Sequence, residues 1–131
     1  MIGLDTNVLV RYFVKDDPEQ TRLAVSLIYS LSATETGWVG LAVLLELVWV
    51  LTRIYRVNRA RVVQVLDTLL ASQEIVVEQN KVVRESLRLY RFGHTDFPDC
   101  LIAVSAKAAG CLRTATFDRK AARDAGMELI G

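Results

Sequence analysis

The sequence predicts an α/β fold in which helices flank both faces of a central parallel β-sheet. Short apolar runs that suit buried strands alternate along the chain with longer segments of helical periodicity. Helix-capping residues precede several of the helical segments, and a glycine follows two of them. Strands separated by helices pair in parallel, because each crossover returns the chain to the same end of the sheet.

The composition limits the class of protein. With 131 residues, of which 52% are hydrophobic and 24% charged, we expect a single domain, residues 1–131, with its own core. This hydrophobic content excludes an intrinsically disordered chain. The net charge of +1 predicts no partner by itself, but twelve of the sixteen basic residues are Arg, the side chain best suited to binding phosphate.

Three features favour a cytoplasmic protein. The first residues lack a basic segment followed by an apolar one, so we expect no signal peptide. Residues 37–52 are strongly apolar, but this stretch is shorter than the ~20 residues of a membrane-spanning helix and contains Glu46. Cys100 and Cys111 belong to no metal-binding motif and are expected to be reduced thiols in the core.

The first elements follow from local signals. A strand is predicted at residues 2–5 and then a loop. Asp17 and Pro18 have the chemistry of an N-cap and a first helical position, and predict a helix that runs to about residue 32. The apolar face of this helix is expected to comprise Leu23, Leu27, Ile28 and Leu31.

The next helices have different patterns. A short strand at residues 37–40 leads into a helix at residues 41–55 that is expected to be buried, with Trp38 and Trp49 in the core. Asn58 is expected to cap the following helix. The apolar positions of that helix are Val62, Leu66, Leu69 and Leu70.

The remaining elements are read in the same way. Gly110 and Gly126 are expected to end two helices, and residues 94–98 to form a loop. Strands are predicted at residues 74–78, 112–117 and 127–130, and helices at residues 80–91, 99–109 and 119–125.

Four acids stand beside segments that should be buried. Asp5 ends the first strand, Glu46 interrupts an apolar stretch, Asp99 opens an apolar helix, and Asp118 closes a strand-like run. An unpaired buried carboxylate is costly, so each acid needs a counter-charge. Because ligands bind at the carboxyl edge of parallel sheets, we expect the four side chains to converge there.

Converging carboxylates predict a metal ion. A pair ~4 Å apart costs roughly 1 kcal/mol in water and about 4 kcal/mol at an effective dielectric of about 20, so the cluster needs protons or a cation. Oxygen ligands favour Mg²⁺ or Mn²⁺ over zinc. Such a cation suits phosphodiester hydrolysis, because it polarises phosphate oxygens and activates a water molecule.

Each acid also has a structural interpretation. Asp5 suits a turn or cap at a strand end, and Asp99 and Asp118 suit helix N-caps. Glu46 lies where no solvated helix face is expected, so its structural alternative is an ion pair with a buried Arg. The four acids together are harder to explain in this way than any one of them.

Other polar residues adjoin these acids. Asp96, three residues before Asp99, would either hold a metal-bound water or turn the loop. Thr6, Asn7 and Thr116 would either orient the carboxylates or serve local turns.

Two groups of arginines are candidate contacts for a nucleic-acid backbone. One group recurs along a single helical stripe, and the other surrounds a helix junction. Such groups are usually solvated faces, but beside a metal nuclease site they become candidate phosphate contacts. The stripe comprises Arg84, Arg88 and Arg91, and the junction group comprises Arg53, Arg56, Arg59 and Arg61.

The chain resembles the PIN-domain family, and within it the VapC toxins of bacterial toxin–antitoxin pairs. Four motifs carry the resemblance and span nearly the whole chain in order. They are IGLDTNVLVRY at residues 2–12, VLLELVWVL at 43–51, DFPDCLIA at 96–103 and TFDR at 116–119.

The resemblance implies a PIN-like fold and a Mg²⁺- or Mn²⁺-dependent endoribonuclease, which we expect to leave 5′-phosphate ends. The family's acidic quartet maps onto Asp5, Glu46, Asp99 and Asp118, with Asp96 as an accessory acid. Members commonly form homodimers and are inhibited by a VapB-type antitoxin that inserts a segment at the site. Many relatives carry a further acid shortly after the last motif, where this chain has Lys120-Ala121-Ala122.

Two other functions remain as alternatives. A PIN-like binding module without catalysis would bind RNA or protein, although the intact quartet argues against it. An aspartyl phosphotransferase would use Asp5 as nucleophile, but such enzymes of the haloacid-dehalogenase type have a second Asp where this chain has Asn7. There is no phosphate-binding loop of the GxxxxGK[ST] type, which argues against an NTPase.

Overall fold

All strands of the protein pair in parallel in a computed structural model that describes residues 1–131. Three strands form one sheet in the order β1-β2-β3, and two form a second sheet. The predicted α/β class with parallel strands is therefore confirmed. The strands are β1 (Ile2–Gly3), β2 (Gly37–Val39), β3 (Ile75–Val77), β4 (Ala115–Thr116) and β5 (Glu128–Leu129).

The chain divides into two compact units, Met1–Glu78 and Gln79–Gly131. The first unit contains the three-stranded sheet, and the second contains the two-stranded sheet. The helices of the first unit are α1 (Thr6–Val14), α2 (Pro18–Ser30), α3 (Leu41–Trp49), a π-helical turn (Val50–Ile54) and α4 (Arg59–Ala71). Those of the second are α5 (Asn80–Phe92), α6 (Phe97–Ala108) and α7 (Arg119–Asp124).

Helix α1 occupies a segment for which we predicted a loop. Its three valines have modest helix propensity, so packing against α2 and α3 decides its conformation rather than local preference. Lys15 ends the helix in the left-handed region, with φ 62°, and its N–H donates to the carbonyl of Arg11. This tight end lets the chain reverse into α2.

The start of α2 follows the prediction closely. Asp17 is the N-cap, its carboxylate accepts from the N–H of Gln20 at 3.0 Å, and Pro18 is the first helical residue. The predicted apolar face is only partly buried, because Leu23 is 53% exposed while Ala24 is buried. The small Ala24 side chain is therefore covered more completely than the larger Leu23 side chain.

Helix α3 and the π-helical turn together cover the predicted helix at residues 41–55. The expectation that this segment is buried on all sides is wrong. Leu44, Leu47 and Leu51 lie in the core, but Trp49 is 55% exposed. Trp38 is also 37% exposed, so neither tryptophan is a core residue.

The rest of the first unit agrees with the sequence. Asn58 caps α4 by accepting from the N–H of Arg61 at 2.8 Å. The apolar side of α4 lies in the core, although Leu70 is only half-buried. The core residues on this side are Val62, Val63, Val65, Leu66 and Leu69.

The second unit is built on the contact between α5 and α6. Tyr90 and Phe97 pack edge to face, with ring centroids 5.8 Å apart. The predicted strand at residues 112–117 shortens to two paired residues, and Leu112 and Phe117 are exposed. Gly110 has φ +98°, the left-handed conformation expected where a helix ends.

No helix is both long enough and apolar enough to cross a membrane. Both cysteines are free, and Cys100 is buried as expected, but Cys111 is exposed. The prediction that both thiols belong to the core is therefore wrong for Cys111.

Candidate active site

Asp5 lies at the carboxyl end of β1 and immediately precedes α1. Its backbone carbonyl accepts from the N–H groups of Val8 and Leu9, at 3.1 and 3.4 Å. Its side chain caps no backbone group and is exposed. The next residue, Thr6, is buried, whereas Asn7 is exposed. Both oxygens of Asp5 are thus free for a ligand.

Glu46 projects from the middle of α3. The sequence suggested that no solvated helix face was available there, but Glu46 is exposed. Ala42 and Trp49, about one turn away on each side, are exposed as well. The carboxylate accepts no hydrogen bond and forms no ion pair, so the structural alternative of a buried Glu–Arg pair is wrong. Its oxygens, like those of Asp5, are uncommitted.

The sequence reasoning missed Glu78, the residue that follows β3. Its N–H donates to the carbonyl of Val39 at 2.9 Å, and its Oε1 accepts from the N–H of Leu41 at 2.8 Å. Glu78 therefore caps the N-terminus of α3, the helix that carries Glu46. The rule that singled out Asp5, an acid at the carboxyl end of a strand, applies equally to Glu78 and would have found it.

In the second unit, α6 begins two residues earlier than predicted. Asp96 is its N-cap residue, although its side chain makes no capping hydrogen bond. Asp99 lies in the first turn and is not an N-cap, so that structural alternative is wrong for Asp99. The buried hydroxyl of Thr95 donates to Asp99 Oδ2 at 3.3 Å, which leaves Oδ1 free.

Asp118 is the N-cap of α7. Its Oδ1 accepts from the N–H groups of Lys120 and Ala121, at 2.8 and 3.1 Å. The hydroxyl oxygen of Thr116 accepts from the N–H of Asp118 at 3.0 Å, so Thr116 helps to shape this turn. The capping role that we considered for Asp118 is confirmed. Because only one oxygen is used, the role does not exclude a ligand on Oδ2.

A further acid, Asp124, lies at the end of α7. The neighbouring Arg123 guanidinium donates to its carboxylate at 3.0 and 3.2 Å and lowers its pKa. The positive potentials of His94 and Lys120 lower this pKa further. His94 directly precedes Thr95, the partner of Asp99, so the end of α7 lies near the start of α6.

The donor chemistry of these residues fits a hard divalent cation. Asp5, Glu46, Asp99 and Asp118 each keep at least one carboxylate oxygen that accepts no hydrogen bond. An all-oxygen set of this kind suits Mg²⁺ or Mn²⁺. Two of the acids belong to each unit, and within neither unit do three or more His, Cys, Asp or Glu side chains gather as a metal site. The convergence of all four stays a prediction.

Within the predicted arginine groups, some side chains have hydrogen-bond or ion-pair partners and others have none. Arg88 pairs with Glu85 at 2.8 Å, and this hydrogen bond lowers the pKa of the Glu85 carboxyl. Arg61 donates to Gln64 and to the carbonyl of Phe13. Arg53 and Arg56 are exposed and make neither a hydrogen bond nor an ion pair. The three residues of the stripe, Arg84, Arg88 and Arg91, are all exposed on α5.

Comparison with known proteins connects this arrangement to a family. The family model described as "PIN domain" matches residues 2–126, which include all four acids. The chain belongs to the PIN-domain family. A similar protein is the VapC ribonuclease of Aquifex aeolicus (strain VF5), which is 31% identical over 118 residues. The alignment covers 89% of this PIN-domain chain and 87% of the relative.

Proposed function

We propose that this protein is a Mg²⁺- or Mn²⁺-dependent endoribonuclease and the toxin of a VapBC-type toxin–antitoxin pair. The observation that carries the proposal is that Asp5 and Glu46 present uncommitted carboxylates within a PIN-family chain. The likeness to a VapC ribonuclease supports RNA as the substrate.

In this proposal Asp5, Glu46, Asp99 and Asp118 hold the divalent cation. When bound, such a cation neutralises phosphate charge and supplies an activated water for phosphodiester hydrolysis. Thr95 orients Asp99 through its hydroxyl, and Thr116 orients Asp118 by accepting from its backbone N–H. Since water rather than the ribose 2′-hydroxyl attacks phosphorus, the products carry a 5′-phosphate and a 3′-hydroxyl.

Cleavage of total RNA with Mn²⁺, compared with excess EDTA, tests the proposal. We expect cleavage only with Mn²⁺, and none by Asp5→Asn or Glu46→Gln. The matched control is Glu19→Gln, an exposed glutamate on α2, which should cleave at the wild-type rate. A 2′,3′-cyclic phosphate product, or full cleavage in EDTA, would reject the mechanism. Absence of cleavage under all conditions would favour the non-catalytic binding module.

A groove between α1 and α2 is the proposed seat of the VapB-type antitoxin. It measures about 260 Å³ and begins at Asn7, two residues after Asp5. Its lining is mostly apolar, so apolar antitoxin residues fit along it while an Arg or Lys reaches the nearby carboxylate. The lining residues are Asn7, Val8, Arg11, Gln20, Leu23, Ala24 and Leu27.

The antitoxin proposal has its own test. Expressed alone, the wild-type chain should arrest growth, whereas Asp5→Asn should not. The protein that co-purifies from the native host should inhibit RNA cleavage when added back in pure form. Leu23→Arg, within the groove, should resist that inhibition, whereas Tyr29→Arg, exposed elsewhere on α2, should not. A well-expressed wild-type chain that is harmless would reject the toxin assignment.

The homodimer and the cytoplasmic location also stay predictions. Light scattering of the purified chain would measure the oligomeric state directly, and fractionation of the native host would measure the location.

A further inference from the structure

Trp49 is a large exposed side chain on the same face of α3 as Glu46. The two residues are three positions apart, and Arg53 follows four positions later, so all three lie along one side of the helix. All three are exposed. The opposite side of this segment is buried in the core and comprises Leu44, Leu47, Val48 and Leu51.

The π-helical turn determines which side chains are exposed on this face after Trp49. The N–H of Tyr55 donates to the carbonyl of Val50 at 3.1 Å, five residues back, which widens the helix by one residue. The Thr52 hydroxyl donates to the carbonyl of Val48 at 2.8 Å and holds the turn in place. As a result, Arg53 and Ile54 are both exposed next to Trp49. Single π-helical turns of this kind occur frequently at functional sites.

The charges beside Trp49 are uncompensated. Arg53 and Arg56 make neither a hydrogen bond nor an ion pair, whereas Arg11 of the same unit bonds Asp16, Tyr55 and Gln20. Arg56 has φ 54°, in the left-handed region, which turns the chain away after the π-helical turn. Arg53 therefore presents a free guanidinium group four residues after the exposed indole of Trp49, on the helical segment that carries the exposed Glu46, and Arg56 presents a second one where the chain turns.

We propose that Trp49, Arg53 and Arg56 form a binding surface for single-stranded RNA, which leads the substrate to Glu46. This inference rests on the proposed function. Trp49 stacks on an unpaired base, and the two arginines contact phosphates on the following nucleotides. A protein partner could cover Trp49 and Ile54, but it would need acidic side chains to pair with the two free arginines. RNA supplies a flat base and negatively charged phosphates together.

Binding can be measured apart from cleavage. The probe is a fluorescein-labelled single-stranded oligoribonucleotide of mixed sequence, titrated with the full chain in EDTA and followed by anisotropy. Trp49→Leu keeps an apolar side chain but removes the stacking surface, whereas Trp49→Phe keeps an aromatic ring. Arg53→Gln removes one phosphate contact, and Arg22→Gln, an exposed arginine of α2, is its matched control.

We expect Trp49→Leu to weaken binding roughly 5- to 150-fold, the range for loss of one stacked base, and Trp49→Phe to bind within a few-fold of wild type. Arg53→Gln should lower the slope of log affinity against log salt by about 0.7, while Arg22→Gln should leave it unchanged. Circular dichroism should show the same helix content in every variant.

Three outcomes would overturn the proposal. In the first, wild type does not bind the oligonucleotide at low salt. In the second, Trp49→Leu and Arg53→Gln bind it as wild type does. In the third, Trp49→Leu keeps RNA affinity but loses the co-purifying protein, which would make this surface a protein-docking site. If binding follows the expected pattern while no condition supports cleavage, the proposed nuclease function fails and the RNA surface stands.

Discussion

Glu78, which follows β3, caps the N-terminus of α3, the helix that follows β2. Its Oε1 accepts from the N–H of Leu41 at 2.8 Å, so the residue that follows β3 fixes the start of the helix that carries Glu46. Gly40, between β2 and α3, leaves room for the Trp38 side chain, because an added Cβ there would lie 2.8 Å from the Trp38 ring. An acid at the sheet edge thus positions another acid.

Removal of this cap should destabilise the first unit. Glu78→Ala leaves the Leu41 N–H without its partner and should lower the free energy of unfolding by about 1 kcal/mol, as loss of an N-cap does. Glu78→Gln keeps the acceptor oxygen and should lose less. Urea unfolding followed by circular dichroism measures both. Glu74→Ala, an exposed acid before β3, is the control, and an equal loss in that variant would contradict the capping role.

Substitutions of Asp118 should separate capping from metal binding. Asp118→Asn keeps an oxygen that can accept from the N–H groups of Lys120 and Ala121 but loses the charge. It should retain stability and lose Mn²⁺-dependent cleavage. Asp118→Ala should lose cleavage and also about 1 kcal/mol of stability. Thermal unfolding and cleavage assays on the same samples distinguish helix capping from metal binding. Full cleavage by Asp118→Asn would show that Asp118 only caps the helix.

The neighbouring acids of α6 should differ in importance. Asp99→Asn should abolish cleavage, because Asp99 lies in the first helical turn and is oriented by Thr95. Asp96→Asn should only weaken cleavage, since Asp96 belongs to the helix start and not to the proposed quartet. Single-turnover cleavage rates measure the difference. Equal losses, or a larger loss for Asp96→Asn, would show that the ligand was assigned to the wrong residue.

The network around Asp16 should make stability depend on pH. The hydrogen bond from the Tyr55 hydroxyl at 2.7 Å lowers the pKa of the Asp16 carboxyl, and the charge of Arg11 lowers it further. Because the folded-state pKa lies below the unfolded one, this contribution is present above the unfolded pKa of about 3.9 and is lost as the pH falls through the folded-state pKa.

We therefore expect Asp16→Asn to destabilise the protein at pH 7, and the difference from wild type to shrink as the pH falls and Asp16 becomes protonated. Urea unfolding across this range gives the difference at each pH. Tyr55→Phe removes the main cause of the lowered pKa and should reduce the pH dependence of the wild-type carboxyl. A constant difference between Asp16→Asn and wild type at every pH would contradict the role of ionisation.

The sequence by itself determined the features that depend on local chemistry. The caps at Asp17 and Asn58, the left-handed Gly110 and the acid after β1 each follow from neighbouring residues, because a cap or turn needs only the side chains within a few positions. The same is true of the alternation of strands and helices, which is enough to predict a parallel α/β fold.

Only the tertiary structure decided which faces are covered and which distant groups meet. The apolar pattern at residues 41–55 does not specify a solvent side, so the exposure of Glu46 and Trp49 depends on where α3 packs. Helix α1 forms because α2 and α3 bury it, against the weak preference of its valines. Glu78 meets the N–H of Leu41 because β2 and β3 pair in one register. These outcomes depend on contacts between segments that are far apart in sequence, and no local pattern encodes such contacts.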